Sequence, residues 1–288
     1  MDIPSLRAFV AVAETCSFSQ ASEQLFLTQP AISKRIAALE EDLDQSLFDR
    51  IGRQINLTEA GHALLPRAQK ILLDIEDSRR ALKNLSNTVS GILRFGTSHH
   101  IGLHRLPSVL RQYTKTFPDV ELDIQFMDSE EACRAVENGE LELAVVTLPL
   151  RPLDMLQTHR IWLDPLKVVS AKNHPLAKQG KLTINQLAEH KAILPARGTF
   201  TREIIEQAFA KQRQQLNISL ASNYLETIKM LVSVGLGWSI LPENMLNQKE
   251  VSILKVPALR LKRELGLVWH QRRSLSNAAK ELQTLLIQ

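Results

Sequence analysis

The chain has 288 residues, 44% of them hydrophobic and 23% charged, long for one domain and comfortable for two or three. No apolar run is long enough for a membrane helix, and two cysteines far apart, Cys16 and Cys133, exclude a disulfide framework and fit a reducing compartment. Residues 1–90 carry 10 Lys+Arg against 12 Asp+Glu, a net of −2, whereas residues 91–288 carry 25 against 19, a net of +6. Bulk charge alone therefore makes no case for a nucleic-acid-binding N-terminal part; only local clustering could. The N-terminus carries Asp2 and Glu14 and lacks a basic start and a cleavage site, so no signal peptide is expected and the expected location is cytoplasmic, with no membrane partner.

Ile3, Leu6, Phe9, Val10 and Ala13 recur at helical spacing and predict a first helix with one buried face. Ser17-Phe18-Ser19 interrupts it, and Ser19 is expected to cap a short second helix over 20–25. Phe26-Leu27 reads as a tight connection, Thr28 as a second N-cap, and Pro30 falls in the first turn after it, where its missing N–H costs nothing. Ile32, Ile36, Leu39 and Leu43 then form the buried stripe of a third helix.

Two helices joined by a few residues suggest a helix-turn-helix. Gln29, Ser33 and Lys34 line the face opposite the stripe, with Arg35 at its flank. All lie in the N-terminal half of the helix, the half that enters the major groove in this motif, while Glu40, Glu41, Asp42 and Asp44 lie at the other end. LFDRIGRQINLT, residues 47–58, reads as a two-stranded wing with Gly52 at its turn and Arg50 and Arg53 beside it, cations suited to phosphates or a minor groove. A solvated charged face is the bland alternative for the third helix; the caps, the tight turn and the wing together tell against it.

From Leu64 a 4-3 alternation runs through Leu64, Ala68, Ile71, Ile75, Ser78, Leu82, Leu85 and Val89. That is a heptad seam, expected on a long helix from about Thr58 to just before Gly91, bent or loosened near Pro66. Packing on its own domain is one reading. Dimerisation fits better, because a dimer presents two recognition helices to a two-fold DNA site.

After Gly91 strand-like and helix-like segments alternate: a strand at 92–95, a helix at 103–116, a strand at 120–127, a helix at 130–137 and a strand at 143–147. This order predicts a mostly parallel sheet with helices on its faces. A similar series follows over 165–257, with strands at VVSA, AILPA and ISLA, a helix at 201–214 and another ending near Val232. VGLGWSILP, 234–242, supplies two glycines, a short strand and a helix-starting proline. Two α/β lobes suggest a cleft between them, the usual place for a ligand. Thr97, Ser98 and His99, with His100, follow the first strand and open a helix, where free N–H groups and hydroxyls favour an anion. Arg197-Gly198-Thr199-Phe200-Thr201 is the corresponding turn in the second lobe, and Ser129 and Thr147 end strands of the first. Each hydroxyl alone is more simply an N-cap; the set is the candidate effector site. The cleft half is the basic half, which favours a carboxylate-bearing metabolite.

The stretch SFSQASEQLFLTQPAISKRIAALEEDLDQSLFDRIGRQINLTEAGHALL resembles the winged helix-turn-helix of LysR-type transcriptional regulators. The match lies in Ser17-Phe18, Ala21, Leu25, Thr28-Gln29-Pro30-Ala31, Ser33, Ile36, Leu39-Glu40, Leu47-Phe48, Arg50 and Leu57-Thr58-Glu59-Ala60-Gly61. The resemblance implies that Gln29, Pro30, Ser33 and Lys34 approach bases and backbone and that Arg50 and Arg53 serve the wing. Lys34 stands where many members carry arginine, and a lysine lacks the bidentate fork for guanine. GILRFGTSHHIGLHRLPSVLRQYTKTFPDVELDI, ENGELELAVV and VGLGWSILPENML look like the effector domain of the same regulators. The resemblance then implies a multidomain chain: an all-α winged helix-turn-helix at 1–58, a long linker helix at 59–89, and a two-lobed α/β effector domain of periplasmic-binding-protein type at 90–288. Lobe I would hold 91–162 and 267–288, and lobe II 163–266. It also implies a bacterial homodimer, often a homotetramer, with double-stranded DNA, a small-molecule effector and RNA polymerase as partners.

His99, His100 and His104 invite a metal reading, since His100 and His104 are one helical turn apart. No cysteine or carboxylate lies close by in sequence to complete a site, so neither metal nor cofactor is expected. Cys16 and Cys133 read as buried thiols. There is no Gly-rich phosphate loop, nucleophile elbow or H-E-x-x-H, so no enzyme is expected. The remaining alternatives are a solute-binding module or an interaction scaffold that kept the fold without regulated DNA binding.

Overall fold

Asp2 accepts from the Ser5 N–H at 2.7 Å and starts α1 (Ile3–Thr15), whose apolar face buries Leu6, Phe9 and Val12. The computed structural model describes residues 1–51, 54–85, 88–247 and 249–287, and only the backbone of Arg50, Ile51, Gln54 and Lys83. These residues divide into two compact units, 1–85 and 86–288. No described helix is long and apolar enough to cross a membrane.

In the first unit α2 (Phe18–Gln24) begins at Ser17, whose hydroxyl accepts from the Gln20 N–H. Ser19 therefore lies inside the helix and is not its cap; the helix starts two residues early because Phe18 is buried, 6.0 Å from the Phe48 ring. α3 (Gln29–Leu43) starts at Thr28, which has cap geometry but makes no side-chain cap bond, and it buries Ile32, Ile36 and Leu39. β1 (Phe48–Ile51) and β2 (Gln54–Leu57) pair antiparallel as the wing.

α4 (Glu59–Asn84) follows without a break through Pro66, about 39 Å of helix. The Thr58 hydroxyl caps it, accepting from the Gly61 N–H at 3.0 Å and donating to the Ser46 carbonyl at 2.6 Å. Gly61 permits that approach: a Cβ there would stand 2.3 Å from the Leu47 carbonyl oxygen. The helix ends at Asn84, short of the expected limit, so Leu85 and Val89 of the seam lie beyond it.

The second unit is built on a sheet ordered β10 (Ser252–Leu254), β6 (Leu156–Ser170), β11 (Leu261–His270), β5 (Leu143–Thr147), β3 (Gly91–Thr97) and β4 (Val120–Phe126). β3 (Gly91–Thr97) leads to α5 (His99–His104) and α6 (Pro107–Thr116). The single helix expected at 103–116 is thus two, because Pro107 starts a fresh helix and cannot continue the previous one. β4 (Val120–Phe126), α7 (Ser129–Glu137) and β5 (Leu143–Thr147) complete a parallel β4-β3-β5 core. Leu93, Phe95, Val145 and Leu282 fill it, and the Tyr113 hydroxyl donates to the Ala278 carbonyl at 2.8 Å.

β6 (Leu156–Ser170) then leaves this lobe. It is a 15-residue strand of which VVSA is only the end. The second lobe holds α8 (Ile184–Ala188), β7 (Ala192–Leu194), α9 (Phe200–Lys211), β8 (Ile218–Ala221), α10 (Leu225–Ser233), β9 (Ser239–Pro242) and β10 (Ser252–Leu254). Trp238 centres its core, its indole N–H donating to the Leu187 carbonyl at 2.9 Å. Here the sheet departs from the expected parallel order: β9 and β10 pair antiparallel with β6. β11 (Leu261–His270) returns antiparallel to β6 and then pairs with β5, and α11 (Asn277–Ile287) packs on the first lobe. The register of the crossing pair skips Ile161 opposite Leu265 and Gly266. Only glycine fits at 266, since a Cβ would stand 2.1 Å from the His159 carbonyl oxygen.

Candidate functional site

The first candidate surface is the open face of α3. Burying Ile32, Ile36 and Leu39 leaves Thr28, Gln29, Pro30 and Lys34 exposed, with Ser33 and Arg35 half-buried. Ser19 is exposed on α2. Arg53 and the side chain of Arg50 lie outside the described residues. Two structural features of this surface are not legible in the sequence. Phe26, in the turn before α3, is 95% exposed and left-handed at φ 54. Glu40 ties the helix to the wing: its Oε1 accepts from the Leu47 N–H at 2.7 Å and the Phe48 N–H at 3.3 Å.

The heptad seam divides. Ala68 is fully buried in the core of its own unit, and Leu64 and Ile71 pack against the same core. Ala68 therefore packs within its own unit, a correction to its place in the seam, whereas Leu64 and Ile71 keep part of their surface exposed. Ile75 is half-buried, and Leu82 and Leu85 are 70% and 78% exposed.

The second candidate site is a cavity of about 50 Å³ between the lobes of the second unit. Ser98, His99 and His100 line it from α5, Ser129 and Thr147 from the first lobe, and Thr199 and Thr201 from the second. Thr97 is buried beside it and donates instead to the Val145 carbonyl at 2.8 Å. Arg197 is exposed and stands outside the lining; Phe200 packs its ring against the first-lobe cluster around Val136 and Leu156. Several hydroxyls are already engaged. Ser129 Oγ accepts from the Thr147 N–H at 3.1 Å, and Thr199 caps α9. His99 lies against Phe126 and Tyr224, ring centroids 5.3 and 4.8 Å away.

The lobes meet around this cavity through polar pairs. The Phe200 N–H donates to Glu130 Oε1, so a carboxylate of the first lobe occupies the N-terminus of α9. Burial raises the Glu130 carboxyl above its ordinary range. Asn223 donates to Asp128, and His104 Nε2 stands 3.1 Å from Glu226 Oε1.

Several lining residues, Asp128, Glu130, Asn223 and Arg263 among them, are not singled out by the sequence, and Arg263 is the cation of the set. It sits on β11 with its guanidinium buried, donating through Nε to Asp164 Oδ2 at 2.9 Å and through Nη1 to Thr201 Oγ1 at 3.1 Å. Arg105 Nη2 reaches the other oxygen of Asp164 at 3.0 Å. One carboxylate thus serves two guanidiniums. Arg263 Nη2 is buried with no hydrogen-bond partner among the described residues, a donor left over in the cavity wall. Both ring nitrogens of His100 are likewise buried without a partner. Burial and the Arg263 charge hold its pKa down at about 3, so it is neutral. The alternation of LKRELGLVWH could have flagged Arg263, because it falls in step with Leu261, Leu265 and Leu267 on an inward face.

A winged helix-turn-helix joined in one chain to a two-lobed α/β unit with a polar interlobe cavity defines a DNA-binding protein with its own small-molecule-binding domain. The LysR substrate binding domain model matches residues 86–288, and the model for the bacterial regulatory helix-turn-helix protein, lysR family, matches residues 3–62. An uncharacterized HTH-type transcriptional regulator in the ibpB-leuC intergenic region of Azotobacter vinelandii is 68% identical over 107 residues, 37% of this chain and 74% of that one. Full-length OxyR from Pseudomonas aeruginosa, a cysteine variant, superposes with a TM-score of 0.73 at 23% identity over 99% of this chain and 94% of that one. The effector binding domain of QuiR in complex with shikimate gives 0.63 at 22% identity, covering 69% of this chain and 96% of that one. The chain belongs to the LysR family of transcriptional regulators.

Proposed function

We propose that the chain is a cytoplasmic, non-enzymatic regulator that reads a two-fold DNA site as a dimer or a dimer of dimers and acts on RNA polymerase at the promoter. It senses a small carboxylate between the lobes of its second unit. On DNA, Gln29, Pro30, Ser33 and Lys34 approach the major groove, with Ser19, Thr28 and Arg35 at its margins and Arg50 and Arg53 on the wing. Ile75, Leu82 and Leu85 are the seam positions left for a partner helix.

The observation that carries the effector class is Arg263. A buried guanidinium nitrogen with no hydrogen-bond partner among the described residues, in the wall that Thr201 and Ser98 also line, recognises a carboxylate. QuiR, the structural neighbour bound to shikimate, holds an anion of that class. At about 50 Å³ the cavity is smaller than a metabolite needs. Entry therefore requires the lobes to part and reclose, and the effector acts by shifting that equilibrium.

The test is binding of the pure protein to the DNA flanking its own gene, at several salt concentrations and with competitor DNA. Tight, selective and salt-dependent binding is expected. Lys34→Ala should lower the slope of log affinity against log salt by about one for each phosphate that the lysine neutralises. Selective binding with an unchanged slope would take Lys34 off the backbone; binding indifferent to sequence at every site tried would overturn the reading.

A further inference from the structure

His100 and His104 lie one turn apart on α5, their ring centroids 4.8 Å apart. Glu226, the third partner that the local sequence lacks, arrives from α10 of the other lobe, 122 residues further on. Its Oε1 stands 3.1 Å from His104 Nε2 and 4.0 Å from His100 Nδ1. Two donors at about 2.1 Å from a tetrahedral ion are about 3.4 Å apart, between those two distances. One ligand atom from each residue lies within 4.8 Å of the others, so small side-chain rotations bring all three onto one ion.

The surroundings agree. His100 is a buried imidazole with no hydrogen-bond partner on either nitrogen among the described residues, an expensive arrangement unless something binds it. Its Nε2 stands 3.9 Å from Asp164 Oδ2, beyond hydrogen-bond reach but on the side where a carboxylate would support a metal-bound imidazole. Arg105, Arg263, Asp164 and Glu226 cancel in charge, so the fixed groups do not repel a cation. His104 and Glu226 are each more than a third exposed at the side chain, which leaves a path in from solvent.

We propose that His100, His104 and Glu226 bind a first-row divalent transition metal of the zinc type, which clamps the two lobes beside the effector cavity. Two imidazoles and one carboxylate select zinc, cobalt, nickel or copper over magnesium and calcium. Three protein ligands leave a fourth position for water or for an oxygen of a molecule in the cavity that His100 also lines. Because the ligands come from both lobes, the ion favours the closed arrangement, and metal and effector binding are coupled.

The experiment titrates the full chain, stripped of metal, with zinc against a chromogenic chelator, and with cobalt followed by visible absorption. The expected result is a single equivalent per chain and the intense cobalt bands of four-coordination. His104→Ala and Glu226→Gln should each weaken binding more than about tenfold, with unchanged far-ultraviolet dichroism. His174 and His190, whose rings approach to 5.2 Å in the second lobe, are the control: His174→Ala should change nothing. No stoichiometric binding, binding that survives both variants, or binding lost with His174→Ala instead would each overturn the proposal.

Discussion

Arg263 and Asp164 face each other directly across the two strands that connect the lobes, Nε to Oδ2 at 2.9 Å. Asp164 has no exposed surface, and it also holds Arg105. Removing the carboxylate would leave two guanidiniums facing each other without a counter-charge. Asp164→Asn should therefore destabilise the second unit by about 3–5 kcal/mol. Arg263→Met should destabilise less, because Arg105 still neutralises Asp164, but it should abolish any rise in melting temperature given by a panel of small carboxylates. Urea unfolding midpoints measure the first effect and thermal-shift titrations the second. A ligand-induced shift surviving in Arg263→Met would move the anion site elsewhere.

Phe26 holds an aromatic side chain in the left-handed region with almost nothing packed on it. Asparagine adopts that backbone more readily, and the ring gives up no burial when it is removed. Phe26→Asn should stabilise the first unit by about 1 kcal/mol. Denaturant midpoints decide the sign. A clear loss of stability would show that the ring makes contacts worth more than the strain. If DNA affinity fell while stability rose, Phe26 would join the residues that face the duplex.

The two cysteines differ in environment. Cys16, expected to be buried, is exposed at the left-handed end of α1, where its thiol donates to the Ala13 carbonyl at 3.7 Å. Cys133 is buried on α7, and loss of solvation pushes its thiol up to about 12. At pH 8 its reactive thiolate is essentially absent. A maleimide should label the native protein once, at Cys16, and a second time only after unfolding. Fast double labelling of the native chain would contradict the packing of α7.

Much of the first unit was legible because its signals are local: a stripe at 4-3-4 spacing, a proline in the first turn and a glycine at a close contact. Ser17 and Ser19 show the limit. Both can cap a helix, and the choice fell to whether Phe18 could reach Phe48, a contact 30 residues away. The 4-3 seam of α4 was visible but ambiguous, since the same spacing serves a helix of the same unit or of another chain; Ala68 takes the first use. β6 runs straight through Pro165, which pairs with Lys262 in its middle, although a proline inside a run argues against a strand there. Arg263 and Glu226 were missed for a different reason. A charge in a strand or an exposed helix turn reads as surface, and only the tertiary fold brings each to its partners.

β6 and β11 carry the chain both ways between the lobes as one hydrogen-bonded ribbon, with Gly266 pressed against His159 at the irregular step. Two separate linkers would let the lobes swing and twist freely. A ladder cannot shear without breaking its rungs, so it bends most easily where the rungs are already out of step. Any parting of the lobes is thereby channelled towards bending at that one step, inside a unit of some two hundred residues.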